Sequence, residues 1–462
     1  MIDIPRPVPD LAGASRAPSG ESISGSGART TSCPSVHVPF NQVDGALVRV
    51  RLPGGVMSAQ QLAQVARAAR SYGTGVELTS RANLQIRGVA RGDLEELERV
   101  LVLAGVTVAD PALERRRNVM ASPTAGRDGN ELIDTRPLVA EAIALLAAES
   151  NENLSPKFGL LIDGGGRVHV RERKQDLSVG AVRLLDGSWS FELQLGEALA
   201  AGGADAAVLV APDRVTVVLK AALDLVASSP EAHGRTSQLV AALGAGEVLR
   251  RVEARCGETL RRIARGDLAP LDPSGPPIGV MVQHQRGYSM VGAMPPLGRT
   301  TGAILDAVAQ LADEVGSPSV YVTPWRSLLV VDVPDAEAAK TLARLSQLGL
   351  VTDANDPALG VVACAGSRGC PASSVVTQRD ATGLISALRE APENAPFTVH
   401  LSGCAKRCAD ATTNFDVTLV GAGLPGTYDL VRRSARAPET TRRGLDAATA
   451  LELVLDASAT PR

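Results

Sequence analysis

The sequence predicts an α+β protein built from two copies of one plan. Residues 47–89 and residues 289–333 share the same order of a strand, a helix and further strands, and a different α/β segment follows each copy. In both predicted helices, apolar residues recur at i, i+4 and i+7, which places them on one helix face. These residues are Leu62, Ala66 and Ala69 in the first copy, and Ile304, Val308 and Leu311 in the second.

The first copy opens with a predicted strand at residues 47–52, followed by a Pro-Gly-Gly turn. Its helix begins at Ser58, and Gln61 stands three residues later, which is the pattern of a capping box. Strands at 75–79 and 84–87, separated by a short break, complete the unit.

The second copy repeats this order, with Met294-Pro-Pro before its helix and strands at 320–323 and 328–333. Four residue pairs correspond at a nearly constant offset: Leu62/Ile304, Ala66/Val308, Ala69/Leu311 and Thr79/Thr323. Chance does not reproduce helix phase, strand order and a threonine together. The sequence therefore predicts a duplicated β-α-β unit.

The α/β segments that follow the two copies differ. In the first, about 112–268, we predict a helix over 137–149 and a β-hairpin over 158–170, because Asp163-Gly-Gly-Gly between two apolar runs is a turn signal. The second, about 350–462, contains four cysteines.

Composition limits the class of protein. With 462 residues the chain is too long for one core, and its net charge of −3 creates no strong overall field. Aromatic residues make up only 2%, which argues against binding of single-stranded nucleic acid. We expect no membrane span and no signal peptide, because no run of 18 apolar residues and no apolar N-terminal segment occur. Free thiols then favour the cytoplasm.

The four cysteines are the most informative motif. Cys364 and Cys370 read C-x5-C, and after thirty-three residues Cys404 and Cys408 read C-x3-C. Each pair follows an apolar, β-rich stretch, and four thiolates are the usual ligands of one 4Fe–4S cluster. Zinc prefers tighter pairs, and four unrelated buried thiols would not cluster in this way. Cys33 and Cys256 stand alone and are interpreted as ordinary thiols.

A group of basic and polar residues is the second candidate site. Strand alternation places Arg81, Asn83, Gln85 and Arg87 on one face of an extended segment. The cations at 115–117 and at Lys157 are isolated, and each alone is typical of a solvated surface. Together with a cluster site they predict a pocket for a polyanionic ligand, because arginine binds carboxylates with two parallel hydrogen bonds.

A glycine motif at residues 421–426 has the spacing G-x-G-x-x-G but does not open a helix, since Pro425 and a β-rich run follow it. We interpret it as a turn rather than a dinucleotide site. Electrons must then come from an external donor.

From about residue 38, the chain resembles the sirohaem sulfite and nitrite reductase superfamily. The resemblance is carried by Thr79-Ser-Arg-Ala-Asn-Leu-Gln, Arg117-Asn-Val-Met, Lys157-Phe, and the two cysteine pairs. It implies two ferredoxin-like half domains alternating with two α/β sulfite-reductase-like domains. The expected boundaries are a disordered tail at 1–35, half domains at 36–110 and 281–348, α/β domains at 111–268 and 349–462, and a Pro-rich linker at 269–280.

The resemblance also implies a tetrapyrrole site in which arginine and lysine side chains hold the carboxylates. The implied binding residues are Arg81, Asn83, Gln85, Arg117, Lys157 and Arg326. In the sirohaem enzymes, the cysteine that matches Cys408 bridges the cluster to the haem iron. No catalytic side chain is identified.

One departure from the reductases is informative. They usually read Lys-Phe-Lys where this chain reads Lys157-Phe158-Gly159, and the second lysine serves bound sulfite or nitrite. This chain is therefore more similar to the precorrin-3B synthase branch. That branch uses O₂ and an external electron donor (an NADH-linked reductase or a ferredoxin) to hydroxylate precorrin-3A at a meso carbon, with lactone formation.

The branch also implies a second, mononuclear non-haem iron, for which His169 and His400 are the weak candidates in a chain of five histidines. Two alternatives stay open. One is a sirohaem nitrite or sulfite reductase with haem bound at Cys408. The other is a non-enzymatic protein in which the metal only stabilises the C-terminal domain.

Overall fold

Four β-sheets organise the fold, and they form two similar pairs. The computed structural model describes residues 34–196, 206–391, 397–410, 415–433 and 439–458, all within one unit that begins at Cys33. The tail expected at 1–35, apart from its last two residues, and Cys33 lie outside the described residues.

The first half domain carries an antiparallel sheet and two helices. Its elements are β1 (Phe40–Gln42), β2 (Gly45–Val50), β3 (Val56–Met57), α1 (Ala59–Tyr72), β4 (Gly75–Leu78), β5 (Leu84–Val89) and α2 (Leu94–Leu103). Helix α1 has the predicted capping box, in which Ser58 accepts from the Gln61 N–H and the Gln61 side chain accepts from the Ser58 N–H.

The first α/β domain is built on a mixed six-stranded sheet. Its elements are α3 (Pro111–Arg116), β6 (Val119–Ala121), α4 (Arg136–Ala147), β7 (Leu160–Asp163), β8 (Leu177–Arg183), β9 (Trp189–Leu195), β10 (Ala206–Val210), α5 (Val215–Ser228), α6 (Thr236–Leu243), α7 (Ala245–Cys256) and β11 (Arg261–Ala264).

The second half domain repeats the first. Its elements are β12 (Gly279–Val282), β13 (Tyr288–Ala293), β14 (Arg299–Thr300), α8 (Gly302–Glu314), β15 (Val320–Val322), β16 (Leu328–Pro334) and α9 (Asp335–Gln347).

The second α/β domain has a mixed five-stranded sheet. Its elements are β17 (Val361–Ala363), α10 (Thr377–Glu390), β18 (Val399–Ser402), β19 (Val417–Gly421), β20 (Thr427–Arg432), β21 (Thr440–Asp446) and α11 (Ala447–Ser458). The glycine motif at 421–426 connects the antiparallel strands β19 and β20, so its interpretation as a turn is confirmed.

The two half domains exchange an edge strand. The sheet of the first has the order β1-β2-β5-β4-β14, and that of the second has the order β12-β13-β16-β15-β3. Each half domain therefore contributes a two-residue strand to the sheet of the other, because β14 pairs with β4 and β3 pairs with β15. Helices α1 and α8 cross closely, since a Cβ at Gly302 would lie 2.5 Å from the carbonyl oxygen of Ala66. This reciprocal arrangement makes the duplication a pseudo-two-fold one.

The predicted pairing of the two helices is displaced by one residue. The N-cap residues Ser58 and Thr301 correspond, because each accepts a hydrogen bond from the third residue of its helix. The partner of fully buried Leu62 is therefore Leu305, also fully buried, whereas the predicted partner Ile304 is only partly buried. The sequence pattern alone did not determine which residue of the second helix corresponds to Leu62, since positions 304 and 305 are both apolar.

The β-hairpin predicted over 158–170 is wrong. Strand β7 lies parallel to both β6 and β8, and no strand follows the glycine run directly. Instead, the carboxylate of Asp163 accepts from the N–H groups of Gly165 and Val170. These two hydrogen bonds hold residues 163–170 in a loop that precedes β8.

The two α/β sheets share the arrangement of the first three strands that each contributes along the chain. Strands β6-β7-β8 and β17-β18-β19 are parallel triplets, and each triplet continues into antiparallel strands. No helix within the described ranges is long and apolar enough to cross a membrane.

Candidate functional site

All four cysteines of the C-terminal motif line one cavity of about 320 Å³. Its walls come from both half domains and from the loops of the second α/β domain. Cys364 follows β17, and Cys404 lies two residues after β18. Because β17 and β18 are parallel neighbours, their carboxyl ends meet at the same edge of the sheet.

The cysteine loops are held by backbone hydrogen bonds. The N–H of Gly403 donates to the Sγ atom of Cys364 at 3.1 Å, and the N–H of Cys370 donates to the carbonyl of Gly366 at 2.8 Å. Gly366 has φ of +66°, and this left-handed turn favours glycine. The turn folds Cys370 back toward Cys364.

The loop after β18 also requires glycine. A Cβ at Gly403 would lie 2.1 Å from the hydroxyl of Ser373 and 3.4 Å from the Sγ atom of Cys364. Glycine at this position therefore lets the loop that precedes Cys404 pack directly against Ser373 and Cys364.

The four thiols are close enough to interact electrostatically. Burial, and after it the charges of Cys404, Cys364 and Cys370, raise the pKa of the Cys408 thiol. Cys408 is nevertheless the most accessible of the four, since it is exposed while the others are half-buried.

Four cysteines in one cavity are the ligand number of a 4Fe–4S cluster. Within the described ranges, no three His, Cys, Asp or Glu side chains converge as ligands of one metal ion. An iron–sulfur cube spreads its four thiolate ligands around four iron atoms, which a shared cavity can accommodate. Four cysteines that line one cavity, with an N–H donor to the sulfur of Cys364, therefore fit a 4Fe–4S cluster.

The lining of the cysteine cavity is rich in arginine. Five arginines and one carboxylate line it, and that carboxylate, Glu77, pairs with Arg299 at 2.8 Å. Asp44 and Asp410 lie behind the lining and pair with Arg87 and Arg326. The arginines are Arg49, Arg81, Arg87, Arg299 and Arg326. Gln85 also lines this cavity, where its amide can donate to Glu77 and accept from Arg49. An excess of guanidinium groups in a concave site favours an anionic ligand.

Two of these arginines hold the cysteine loops. Arg87 is buried, forms a bidentate pair with Asp44, and donates to the carbonyl of Gly369 at 2.5 Å, directly before Cys370. Burial opposes the charge of Arg87, yet Glu77 and Asp44 raise its pKa overall.

Arg326 donates to the carbonyl of Ala409 and lies 3.6 Å from the carboxylate of Asp410, just after Cys408. Burial lowers the pKa of Arg326. The half domains therefore position the cysteine loops through arginine side chains.

Arg81 is exposed, and its guanidinium donates to Oε1 of Gln175 at 3.1 Å. A Cβ at Gly159 would lie 1.9 Å from that same Oε1 atom. The neutral amide of Gln175 thus occupies the space beside Gly159, where the reductases that the chain resembles carry a second lysine.

Arg81 also lines a second, adjoining cavity of about 420 Å³. Its other cations are Lys174 and Arg235, and Arg235 pairs with buried Asp176 at 2.7 Å. A ligand in the first cavity can therefore extend past Arg81 into a second basic region.

The structure does not bring all of the sequence-predicted residues together. Arg81, Gln85 and Arg326 line the cysteine cavity, but Asn83, Arg117 and Lys157 do not. Ala82 has φ of +55°, so residues 79–83 form a turn and the alternation begins only with β5. Oδ1 of Asn83 instead accepts from the N–H of Leu52 at 2.8 Å.

Arg117 pairs with buried Glu114 at 2.7 Å and donates to the carbonyl of Val106. Lys157 is exposed, two residues before Gly159. This placement differs from the single cleft that the sequence predicts, because a buried carboxylate competes for Arg117.

Neither histidine proposed for a mononuclear iron lines the cavity. Nε2 of His169 lies 2.8 Å from the carbonyl of Asp272. His400 is fully buried against Phe415, and burial, with a smaller contribution from Arg407, lowers its pKa to about 4.

Sequence reasoning missed Arg49, Arg299 and Gln175. Arg49 alternates with the buried strand residues Val48 and Val50, so its outward direction was readable. Arg299 reaches the cavity only through the exchanged strand β14, and no local pattern signals that exchange.

Family comparisons agree with this architecture. The family described as the nitrite/sulfite reductase ferredoxin-like half domain matches residues 40–104 and 281–348. The family described as the nitrite and sulphite reductase 4Fe-4S domain matches residues 113–260. The chain belongs to the nitrite and sulfite reductase superfamily. The four clustered cysteines lie outside the matched ranges, so their assignment as ligands depends on the geometry above.

Individual relatives divide between two activities. A precorrin-3B synthase of Sinorhizobium sp. is 29% identical over 88% of this chain and 83% of its own length. The ferredoxin–nitrite reductase of Synechococcus elongatus is 27% identical over 81% of this chain and 76% of its own length. The solved structure of the Mycobacterium tuberculosis NirA protein superposes with a TM-score of 0.69 at 22% identity, covering 87% of this chain and 75% of that one. That likeness concerns the fold.

Proposed function

We propose that this protein is a precorrin-3B synthase-like monooxygenase, which hydroxylates precorrin-3A at a meso carbon with O₂ and an external reductant. The observation that carries the proposal is that Gly159 has no side chain and that the amide of Gln175 occupies the space beside it. Residue 159 itself therefore supplies no lysine of the kind that serves sulfite or nitrite in the reductases, and the cation beside it, Arg81, already donates to Gln175.

The basic walls support a polycarboxylate tetrapyrrole as the ligand. Arg81, Arg299 and Arg326 line the same cavity as the four cysteines. Each charge-assisted hydrogen bond to a carboxylate contributes about 1.5–3 kcal/mol. A macrocycle with several carboxylate arms overfills the first cavity, and the adjoining one past Arg81 offers Lys174 and Arg235 for the remaining arms.

Cys364, Cys370, Cys404 and Cys408 would hold the 4Fe–4S cluster, which supplies electrons one at a time when bound. The arginines would orient the ring so that one meso carbon faces the reaction site. Hydroxylation consumes one O₂, two electrons and two protons, places one oxygen atom in the product and releases the other as water. The electrons would come from a separate donor protein, since the described residues form no dinucleotide-binding turn at 421–426.

The assignment is tested with anaerobically purified, iron-replete protein. We expect a broad iron–sulfur absorption band without the intense Soret band of a tetrapyrrole. We also expect oxygen consumption that depends on both precorrin-3A and a reductant, and no sulfite- or nitrite-dependent oxidation of reduced viologen dye.

A sirohaem reductase is the second candidate, because the nitrite reductase relatives match at nearly the same identity as the synthase. In that enzyme, the same cavity holds a permanent cofactor rather than a substrate. Stoichiometric sirohaem together with viologen-dependent turnover would replace the first proposal with this one.

A further inference from the structure

Another basic cavity, of about 510 Å³, lies in the first α/β domain and shares no lining residue with the cysteine cavity. Its walls come from the loop after β7, from β8 and β9, and from the segment that leads out of the domain at 265–272. None of the predicted or observed site residues described above belongs to it.

Four arginines line this cavity, and only some of their side-chain N–H groups have a hydrogen-bond acceptor among the described residues. Arg265 pairs with Glu192 at 2.7 Å. Nε of Arg171 binds Asp163 at 3.3 Å, but its Nη2 atom is buried and finds no acceptor among the described residues. The other two, Arg167 and Arg183, are exposed and form no ion pair within the described part of the chain.

Specific residues of the fold shape this cavity and hold its walls in place. A Cβ at Gly180 would lie 2.9 Å from Nε of Arg171, so a glycine on β8 makes room for this guanidinium. The opposite wall is the segment expected to be a linker, and it is fixed in place. The N–H of Ala269 donates to the carbonyl of Arg183 at 2.9 Å, and the carbonyl of Asp272 lies 2.8 Å from Nε2 of His169.

We propose that this cavity binds a small multivalent oxyanion that carries at least two phosphate or carboxylate groups. Guanidinium groups bind both kinds of group with paired hydrogen bonds. The unused donors come from separate points on the loop after β7 and on β8, so one monovalent anion would leave some of them unsatisfied. Glu192 and Asp272 offset part of the positive charge, which leaves a modest excess of cations.

The bound anion would connect the first α/β domain to the segment that leads into the second half of the chain. The ligand would therefore stabilise the folded protein by mass action and raise its midpoint of thermal unfolding. This inference is independent of the activity proposed above.

The test is isothermal titration calorimetry with inorganic pyrophosphate and, separately, with citrate, both at constant ionic strength. We expect one of them to bind, which also identifies the preferred acid group. The double variant Arg167→Gln/Arg183→Gln should bind at least about tenfold more weakly, since two charge-assisted contacts are lost. Arg91→Gln, which removes an exposed arginine elsewhere, should bind like the unmodified protein.

The cysteine cavity is also basic, so Arg81→Gln serves as a second control. Binding that persists in Arg81→Gln and weakens in the double variant supports the proposal. The proposal is overturned if neither anion binds, if the double variant binds as well as the unmodified protein, or if Arg81→Gln abolishes binding. Unchanged thermal unfolding of the double variant without ligand establishes that it folds.

Discussion

The two pseudo-equivalent interfaces of this protein have opposite characters. Where the first half domain meets the second α/β domain, arginines and cysteines line an open cavity. Where the second half domain meets the first α/β domain, side chains pack across the interface, which we call the closed interface. Trp325 packs there against Met120, Leu161 and Val170, and Arg127 binds Asp332 at 2.6 Å.

Corresponding positions explain the difference. The turn at 79–83 and the turn at 323–327 have the same backbone hydrogen bonds, but Trp325 stands where the first copy has Arg81. Directly after the first strand of each sheet stand Ser122 and Cys364, and the hydroxyl of Ser122 donates to the carbonyl of Val168. The same backbone arrangement therefore forms a cavity at one interface and a packed core at the other, and a few side chains at corresponding positions decide which.

The largest expected effect follows from removing a cysteine of the open interface. Cys404→Ser should lose most of its iron and acid-labile sulfide, because a cluster needs four thiolates, and its activity should disappear. Iron and sulfide analysis and the visible absorption spectrum measure this. The control is Cys256→Ser, which changes a buried thiol of the first α/β domain. Full iron content in Cys404→Ser would falsify the ligand assignment.

The second prediction separates two arginines that sequence reasoning grouped together. Arg81→Ala should weaken tetrapyrrole binding by about ten- to a hundredfold, the loss of a charge-assisted pair. Arg117→Ala should leave that affinity unchanged, since Arg117 pairs with Glu114 outside the cavity. Fluorescence or absorbance titration with a polycarboxylate porphyrin provides the measurement. Equal losses in both variants would contradict the separation.

The third prediction concerns the closed interface. Arg127→Ala should lower the midpoint of thermal unfolding without loss of iron, since it breaks a pair in which Arg127 is buried and Asp332 is partly exposed. The cost should fall below the roughly 3–5 kcal/mol of a fully buried pair but above that of an exposed one. Arg136→Ala is the matched control. It breaks an exposed pair with Asp134, and such pairs contribute about 0–1 kcal/mol. Iron loss in Arg127→Ala would show that the two interfaces are not independent.

The smallest effect is a pH dependence near the closed interface. Burial raises the pKa of Glu131 to about 7, with smaller contributions from Asp134 and Asp128, while the N–H of Gly126 opposes the shift. Between the usual value of 4.5 and about 7, the folded state binds more protons than the unfolded state, so this group makes stability fall as pH rises.

Glu131→Gln should remove that contribution and flatten the decline in thermal midpoint between pH 5 and pH 8. Glu152→Gln, a change at an exposed glutamate, should keep the decline of the unmodified protein. Identical pH profiles for Glu131→Gln and the unmodified protein would rule out Glu131 as the source.

The sequence by itself determined the features that depend on local spacing. The capping box at Ser58, the order of the duplicated strands and the placement of the cysteines after strands were all readable, because side-chain periodicity and turn residues act over a few positions. The resemblance to the reductases rested on short motifs, and it predicted the α+β architecture correctly.

Tertiary structure decided which side chains meet. Arg299 reaches the cavity only because the half domains exchange strands, and Arg117 turns away because Glu114 is buried beside it. The false hairpin at 158–170 arose in the same way, since β7 pairs with strands on both sides instead of folding onto the next segment. Such choices depend on partners far apart in the chain, and they are settled by which polar groups can be satisfied once the core is buried.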